Sequence, residues 1–269
     1  MVDYRGELIA FVDSDDCLVL DFYEYLYNLL TKYNADIAEA EFLRIPDDKI
    51  DEVQNIIDEK NKNLEIKETV CNNIDALKEL YGIKEDPYVK KVVVWNKLYK
   101  KEVLKNIVFP EGKLHEDEFT THKILYNTKT IASSNRYIYG YMQTKNSIMR
   151  AEISERRVSD NLGASISALE FFEDKDLPDI ESKIVLRYLE NCIELSGKIS
   201  KENSSNKNDK LSLIEKKFIS FYDNLDGIEE YINTDLENQI YKLLCDAYNS
   251  TLEKHNLFEY WDKLSSIIK

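Results

Sequence analysis

The sequence predicts an α/β layer over residues 1–150 and an all-helical region over residues 151–269. Three observations carry that division. A five-residue apolar run, Leu8–Val12, leads straight into the carboxylates Asp13, Asp15 and Asp16. Strand-like and helix-like patterns then alternate as far as residue 142. From about residue 151 a 3.6-residue period dominates, and Pro178 is the only proline.

Taken in order, Leu8–Val12 reads as a short strand buried on both faces. Asp21 is a candidate N-cap, with Glu24 completing a capping box, for a helix running to about Tyr33. "ADIAEAEFLRI" (35–45) alternates as a strand, and residues 46–66 read as a loop or short helix. Ile74, Leu77 and Leu80 predict a helix over 71–81. "KKVVVWNKLYKKEVL" (90–104) opens as a β-branched run and turns helical. Pro110 and Gly112 mark a loop, a helix is expected to start near Glu116, and 130–142 reads as one or two strands. In the second region Val158, Leu162, Ile166 and Leu169 form one stripe, and Val185, Leu189, Cys192, Leu195 and Ile199 another. A polar linker at 201–210 precedes helices near 211–222, 228–249 and 252–267.

Composition excludes several classes. With 36 basic and 51 acidic residues the net charge is −15, and no basic stripe of a nucleic-acid binder is present. The cysteines Cys17, Cys71, Cys192 and Cys245 form no C-x-x-C pair, which predicts a reduced cytoplasmic setting. No apolar run approaches the roughly 18 residues of a spanning helix. The N-terminal MVDYRGE has no signal-peptide core, so a soluble protein is expected.

Two acidic clusters are candidates for chemistry. "DSDD" (13–16) can be a turn whose side chains bond nearby backbone. Yet its three carboxylates repel one another, and the nearest downstream base is Lys32. A divalent cation such as Mg²⁺ or Mn²⁺, shared with substrate phosphates, would relieve that repulsion. The end of an α/β strand is also where such sheets place ligands. "HEDE" (115–118) can be a set of acids favoured by a helix macrodipole. Alternatively, one of its carboxylates is a general base. His115, His122 and His255 lack zinc-site spacing, and Ser14 lacks a nucleophile-elbow context. Tyr137, Tyr139 and Tyr141 alternate as packing residues of a strand rather than as a sugar platform.

In order, "GELIAFVDSDD" (6–16), "LTKYNADIAEAEF" (30–42), "VVWNKLYKKEVL" (93–104), "FPEGKLHEDEFTTHKILY" (109–126) and "YGYMQTKNSIM" (139–149) resemble the bacterial glycosyltransferase family 2 enzymes. The resemblance implies a partial GT-A-like, Rossmann-related sheet over about residues 5–150. It implies Asp13 and Asp15 as the D-x-D pair, with Asp15 on the metal and Asp13 on the metal or the donor ribose. Glu116-Asp117 would be the catalytic acidic pair, with Asp117 the base. The donor would be a nucleotide-sugar, the acceptor a glycan or cell-surface acceptor, and the transfer inverting, with the protein cytoplasmic and peripheral at the inner face of the cell membrane. Lys145 would contact phosphate where many members carry arginine, as a point charge without arginine's fork.

Only twelve residues precede Asp13, and the family's P-x-Y-N-like strand and D-D-G-S-like turn occur nowhere in the chain. The expectation is a truncated form, or a sheet completed by a second copy or a partner chain, with weak activity. The competing expectation is a catalytically incomplete remnant acting as a binding or scaffolding module.

Overall fold

A strand that carries acids can enter a sheet core only if cations meet it there, and the layout of the first unit follows from such a strand. The computed structural model describes residues 6–82, 87–143 and 152–224. It divides into Met1–Glu111 with Glu116–Ala151, and Gly112–His115 with Glu152–Lys269. Lys145, Cys245 and the helices expected near 228–249 and 252–267 lie outside the described residues.

In chain order the first unit carries β1 (Leu8–Ile9), β2 (Cys17–Leu18), α1 (Phe22–Lys32), β3 (Ile37–Pro46) and a 3₁₀ segment, Asp47–Glu52. There follow α2 (Val53–Lys62), β4 (Glu68–Cys71), α3 (Asn73–Leu80), α4 (Pro87–Val92) and β5 (Lys97–Lys100). A second 3₁₀ turn (Lys101–Leu104), α5 (Thr121–Tyr126) and β6 (Ile131–Gln143) complete it. The sheet order is β1-β5-β3-β6-β2, with β4 also on β6. Only β3 and β6 run parallel, and their register slips between Glu39 and Phe42.

Helix α1 buries Phe22, Leu26, Leu29 and Leu30, an i, i+4, i+7, i+8 stripe. It stops where Asn34 takes a left-handed φ of 48° and the Ala35 N–H returns to the Leu30 carbonyl at 2.9 Å. Asp21 stands at the N-cap position, as expected, and its carbonyl accepts from the Tyr25 N–H at 2.8 Å, but its side chain makes no capping bond. Its carboxylate instead holds Arg136 through two bonds, at 2.8 and 3.1 Å, and a bidentate guanidinium partner outcompetes a single amide. At Gly140 a Cβ would stand 2.8 Å from Val53 Cγ1, so the approach of α2 to β6 requires glycine there.

Other expectations shift. Leu8–Val12 is not a doubly buried strand. Only Leu8 and Ile9 pair, antiparallel to β5 at the sheet edge, and Val12 is 41% exposed. Among the described residues no strand lies on the other side of β1 to cover it. In 90–104 the order is reversed, with helix first and strand after, because Val92, Val93 and Val94 are buried without needing a ladder. Residues 46–66 hold a 3₁₀ segment and the ten-residue α2. The 71–81 segment divides into the end of β4 and α3, capped by Asn72 accepting from the Asp75 N–H at 2.9 Å. The helix expected at Glu116 begins at Thr121, after a run of turns.

The second unit contains α6 (Glu155–Phe172), α7 (Pro178–Ser200) and α8 (Lys207–Asn224). Ser154 caps α6 by accepting from the Arg157 N–H at 3.1 Å, and the sequence-read stripe of α7 is buried. Tyr188 stacks on Phe221 at 3.8 Å and donates to the Lys217 carbonyl at 2.9 Å, joining α7 to α8. Among the described residues no strand follows Gln143, and no helix is long and apolar enough to cross a membrane.

The first unit is centred on Glu39 of β3, which is fully buried. Its Oε1 accepts from Lys91 Nζ at 2.5 Å and Ser133 Oγ at 2.6 Å, and its Oε2 lies 3.6 Å from Lys97 Nζ. Burial alone would raise this carboxyl, but Lys91, Lys97 and Lys90 outweigh it and hold it down to about 2. A carboxyl depressed on folding adds stability above its unfolded value of 4.5, and that stability is lost as pH falls toward 2. Glu39→Gln should therefore cost about 3–5 kcal/mol at pH 7, since it takes the neighbouring carboxylate from buried Lys97 and leaves Lys91 with the half-exposed Glu79 alone. In urea titrations the gap to the native chain should close as the pH drops below 4.5.

Candidate functional site

The acidic turn is shaped by β6. The Asp16 N–H bonds the Asp13 carbonyl at 3.2 Å, closing a tight turn. The Tyr139 hydroxyl donates to Asp16 Oδ2 at 2.6 Å and accepts from the Asp13 N–H at 3.3 Å. The Met142 N–H donates to Asp16 Oδ1 at 2.8 Å. Asp16 is thus an anchor with both oxygens engaged, and the family motif gives no hint of that role. Burial raises its carboxyl, and the Tyr139 and Met142 bonds offset part of the rise.

Asp13 and Asp15 are left on the exposed side of the turn. Partial burial, then Asp16, Asp15 and Glu116, push the Asp13 carboxyl up to about 6. The contribution of Glu116 brings together two segments that are far apart in sequence. Glu116 is itself exposed.

Asp117 lies in the turn leading to α5. Its carbonyl accepts from the Thr120 and Thr121 N–H groups at 3.0 and 2.9 Å, and its Oδ1 from the Glu118 N–H at 2.9 Å. Burial first and Glu116 second raise its carboxyl to about 7, while Lys97 pulls the other way. Lys97 is fully buried, and desolvation brings its ammonium down to about 7 despite Glu39. Lys97 donates to the carbonyls of Lys90 and Val93 at 2.6 Å each and to Asn96 Oδ1 at 2.7 Å.

Among the described residues no group of three or more His, Cys, Asp or Glu side chains is arranged to hold a metal ion. The fit is to a smaller donor set. Asp13 and Asp15 are two hard oxygen donors whose mutual repulsion a cation relieves, and Mg²⁺ commonly takes one or two carboxylates and completes its shell with phosphate and water. His122 is buried in α5, and burial lowers it to about 3, so it serves as neutral packing.

Sequence reasoning missed the aromatic stack beside this turn. Trp95 lies on Tyr139 at 4.2 Å and parallel to Tyr141 at 5.6 Å, with the Phe42 ring edge-on at 4.8 Å. The Tyr137, Tyr139, Tyr141 alternation was the available signal.

No family model matches the chain. It is 28% identical over 145 residues to glycosyltransferase GlyA of Streptococcus pneumoniae serotype 4, covering 54% of this chain and 20% of GlyA. It is 26% identical over 155 residues to glycosyltransferase GlyG of the same organism, covering 55% of this chain and 48% of GlyG. The chain resembles glycosyltransferases. It spans half or less of the curated relatives it matches. Among solved structures, S. aureus TarS 1–349 in complex with UDP-GlcNAc superposes with a TM-score of 0.48 at 16% identity, covering 89% of this chain and 68% of that one.

A carboxyl whose folded pKa is raised, as Asp117's is from 3.8 to about 7, costs stability as pH climbs through that interval, because the unfolded chain releases the proton first. Asp117→Asn should be more stable than the native chain at pH 8, by about 1–2 kcal/mol after discounting for partial exposure. The gain should vanish near pH 3.5, and chemical denaturation at the two pH values checks it.

Proposed function

We propose that the chain is the catalytic and acceptor-side part of a glycosyltransferase that moves a sugar from a nucleotide-diphosphate donor to a glycan, with inversion. The observation that supports this reading is the pair of raised carboxyls, Asp13 at about 6 and Asp117 at about 7, with Glu116 among the charges that raise each of them. Such a transfer needs phosphate-directed charge on one side of the anomeric carbon and a base on the other.

In this reading Asp117 takes the proton of the acceptor hydroxyl. The hydroxyl oxygen bonds to the anomeric carbon, and the bond to the diphosphate oxygen breaks with its electron pair leaving on the diphosphate. A base near pKa 7 suits neutral operation, since about half of it is ionised and that half is still basic. Asp13 and Asp15 would hold a divalent cation, which supplies positive charge to the leaving diphosphate. Lys145, outside the described residues, is proposed as a further phosphate contact. The outer edge of β1 supports a sheet that a nucleotide-binding layer extends, holding the donor's base and ribose.

Assays with a panel of radiolabelled nucleotide-sugars and Mn²⁺ test the reading. Transfer should rise with pH through about 7 and fall by roughly 10²–10⁴-fold in Asp117→Asn. An Asp117→Asn variant that keeps full activity would remove the proposed base. Calorimetry of the 269-residue chain with Mn²⁺ and nucleoside diphosphates should give millimolar affinity, roughly −4 kcal/mol. Micromolar affinity would show that this chain holds base and ribose unaided. Binding without transfer would favour a binding or scaffolding module.

A further inference from the structure

We propose that Thr121 is the positioning residue of Asp117, its hydroxyl tying the turn that carries Asp117 to the end of α4. The proposal rests on the reading of Asp117 as the base and deepens it by assigning what holds that base in place.

Thr121 is the first residue of α5, where a hydroxyl ordinarily faces water or bonds its own turn. Here the residue is 3% exposed, and its hydroxyl donates to the Val92 carbonyl at 2.6 Å, 29 positions away. Thr120 stands before it at the N-cap position and makes no side-chain capping bond. The Thr120 hydroxyl turns back instead and shares its proton between the Glu116 and Asp117 carbonyls, at 3.1 and 3.3 Å. The Asp117 carbonyl also takes the Thr120 and Thr121 N–H groups. Asp117 is therefore bound through its backbone to both threonines, and the Thr121 hydroxyl carries that turn across to α4.

The receiving end is itself anchored. Lys97 bonds the Lys90 and Val93 carbonyls, and the Tyr99 hydroxyl donates to the Val94 carbonyl at 3.1 Å. Both side chains are buried and come from β5, so the Val92 carbonyl is held between fixed neighbours. A valine at 121 would fill the same volume and leave that carbonyl without its donor. Asp117 itself is only partly covered, with one carboxylate oxygen on the Glu118 N–H. A side chain with so little of its own to hold it takes its aim from the backbone, and a misplacement of about 1 Å can cost a reaction about 10²-fold. The titratable groups facing Asp117 are Glu116 on its own turn and Lys97 and Tyr99 on β5. A neutral substitution at 121 changes none of these charges, so a shift in the Asp117 titration reports its placement.

Carbon-13 carboxyl NMR of the aspartate-labelled 269-residue chain follows Asp117 directly, its resonance assigned by its loss in Asp117→Asn. In the native chain Asp117 should titrate at about 7. In Thr121→Val the turn loosens and water reaches the carboxyl, so the midpoint should fall to about 6 or below, toward the ordinary 3.8. Thr121→Ser keeps the hydroxyl and should titrate as the native chain does. Thr121→Cys, a similar frame with a weak donor, should fall like Thr121→Val and serves where valine unfolds the chain. Urea midpoints measured alongside identify the folded variants. A native midpoint near 3.8, or a native-like midpoint in Thr121→Val or Thr121→Cys with only urea stability lowered, overturns the proposal and leaves Thr121 a structural residue. In transfer assays kcat should fall about tenfold or more in Thr121→Val, its pH midpoint moving down with the titration, while donor KM stays within about twofold. A shifted titration with no transfer by the native chain from any donor overturns the transferase reading and leaves the positioning intact. Transfer by the native chain with an unmoved Asp117 midpoint in the variants does the reverse.

Discussion

Glu39 is the charge that the rest of the first unit is arranged around. A carboxylate with no exposure on a central strand is affordable only because Lys91 arrives from α4 and Lys97 from β5. Ser133 of β6 completes its coordination, so a single side chain of β3 fixes the relative positions of two strands and a helix. Lys91 has a second carboxylate, Glu79, at 2.9 Å, whereas Lys97 stands 3.6 Å from Glu39. Lys97, with no short ion pair of its own, bears the cost in its lowered pKa. Its ammonium is instead bound by the carbonyls of Lys90 and Val93, where the end of α4 needs donors.

That arrangement reaches the candidate site through electrostatics. Lys97 lowers the Asp117 carboxyl while burial and Glu116 raise it, and the balance falls at about 7. The two groups therefore titrate in the same range from opposite directions. The Glu118 N–H bond first and Lys97 second pull the Asp117 carboxyl below where burial and Glu116 would put it. The core network and the candidate base are in this sense one electrostatic system, held by the "NK" and "ED" segments together.

How much of this was legible in the sequence depends on the range of the interaction. The α1 and α7 stripes could be read because each is set by burial at a fixed local period, whereas β3 is a strand as expected but buries Ile37 to Ala40 in succession rather than alternating. Asp21 was legible as the N-cap position but not in its side-chain partner, because Arg136 lies 115 positions away. Val92–Val94 were misread as strand because a buried helix end and a buried strand share the same apolar run. The acidic turn was legible as a cluster, but not its division of labour. Asp16 became an anchor only through Tyr139 and Met142, both on a strand at the far end of the unit. The acids of "ADIAEAEF" and the lysines of "KKVVVWNK" were visible as charges in apolar company, and pairing them required the sheet order.

The acidic turn also shows why the same fold element can be both stable and reactive. Four carboxylates, Asp13, Asp15, Asp16 and Glu116, share one field, and among the described residues Asp16 is the one whose side chain is compensated with hydrogen bonds. Asp16 takes the Tyr139 hydroxyl and a backbone amide, which fixes the turn. The remaining repulsion stays on the exposed side, where it lifts Asp13 to about 6. A surface turn serving only to connect β1 to β2 would gain from exchanging one of these acids for a neutral residue. In the proposed reading, the charge stays where an incoming cation or a developing positive charge would meet it, and the hydrogen bonds lie where position matters. An anchored acid beside unanchored ones is therefore the arrangement that a site for a charged reaction centre requires.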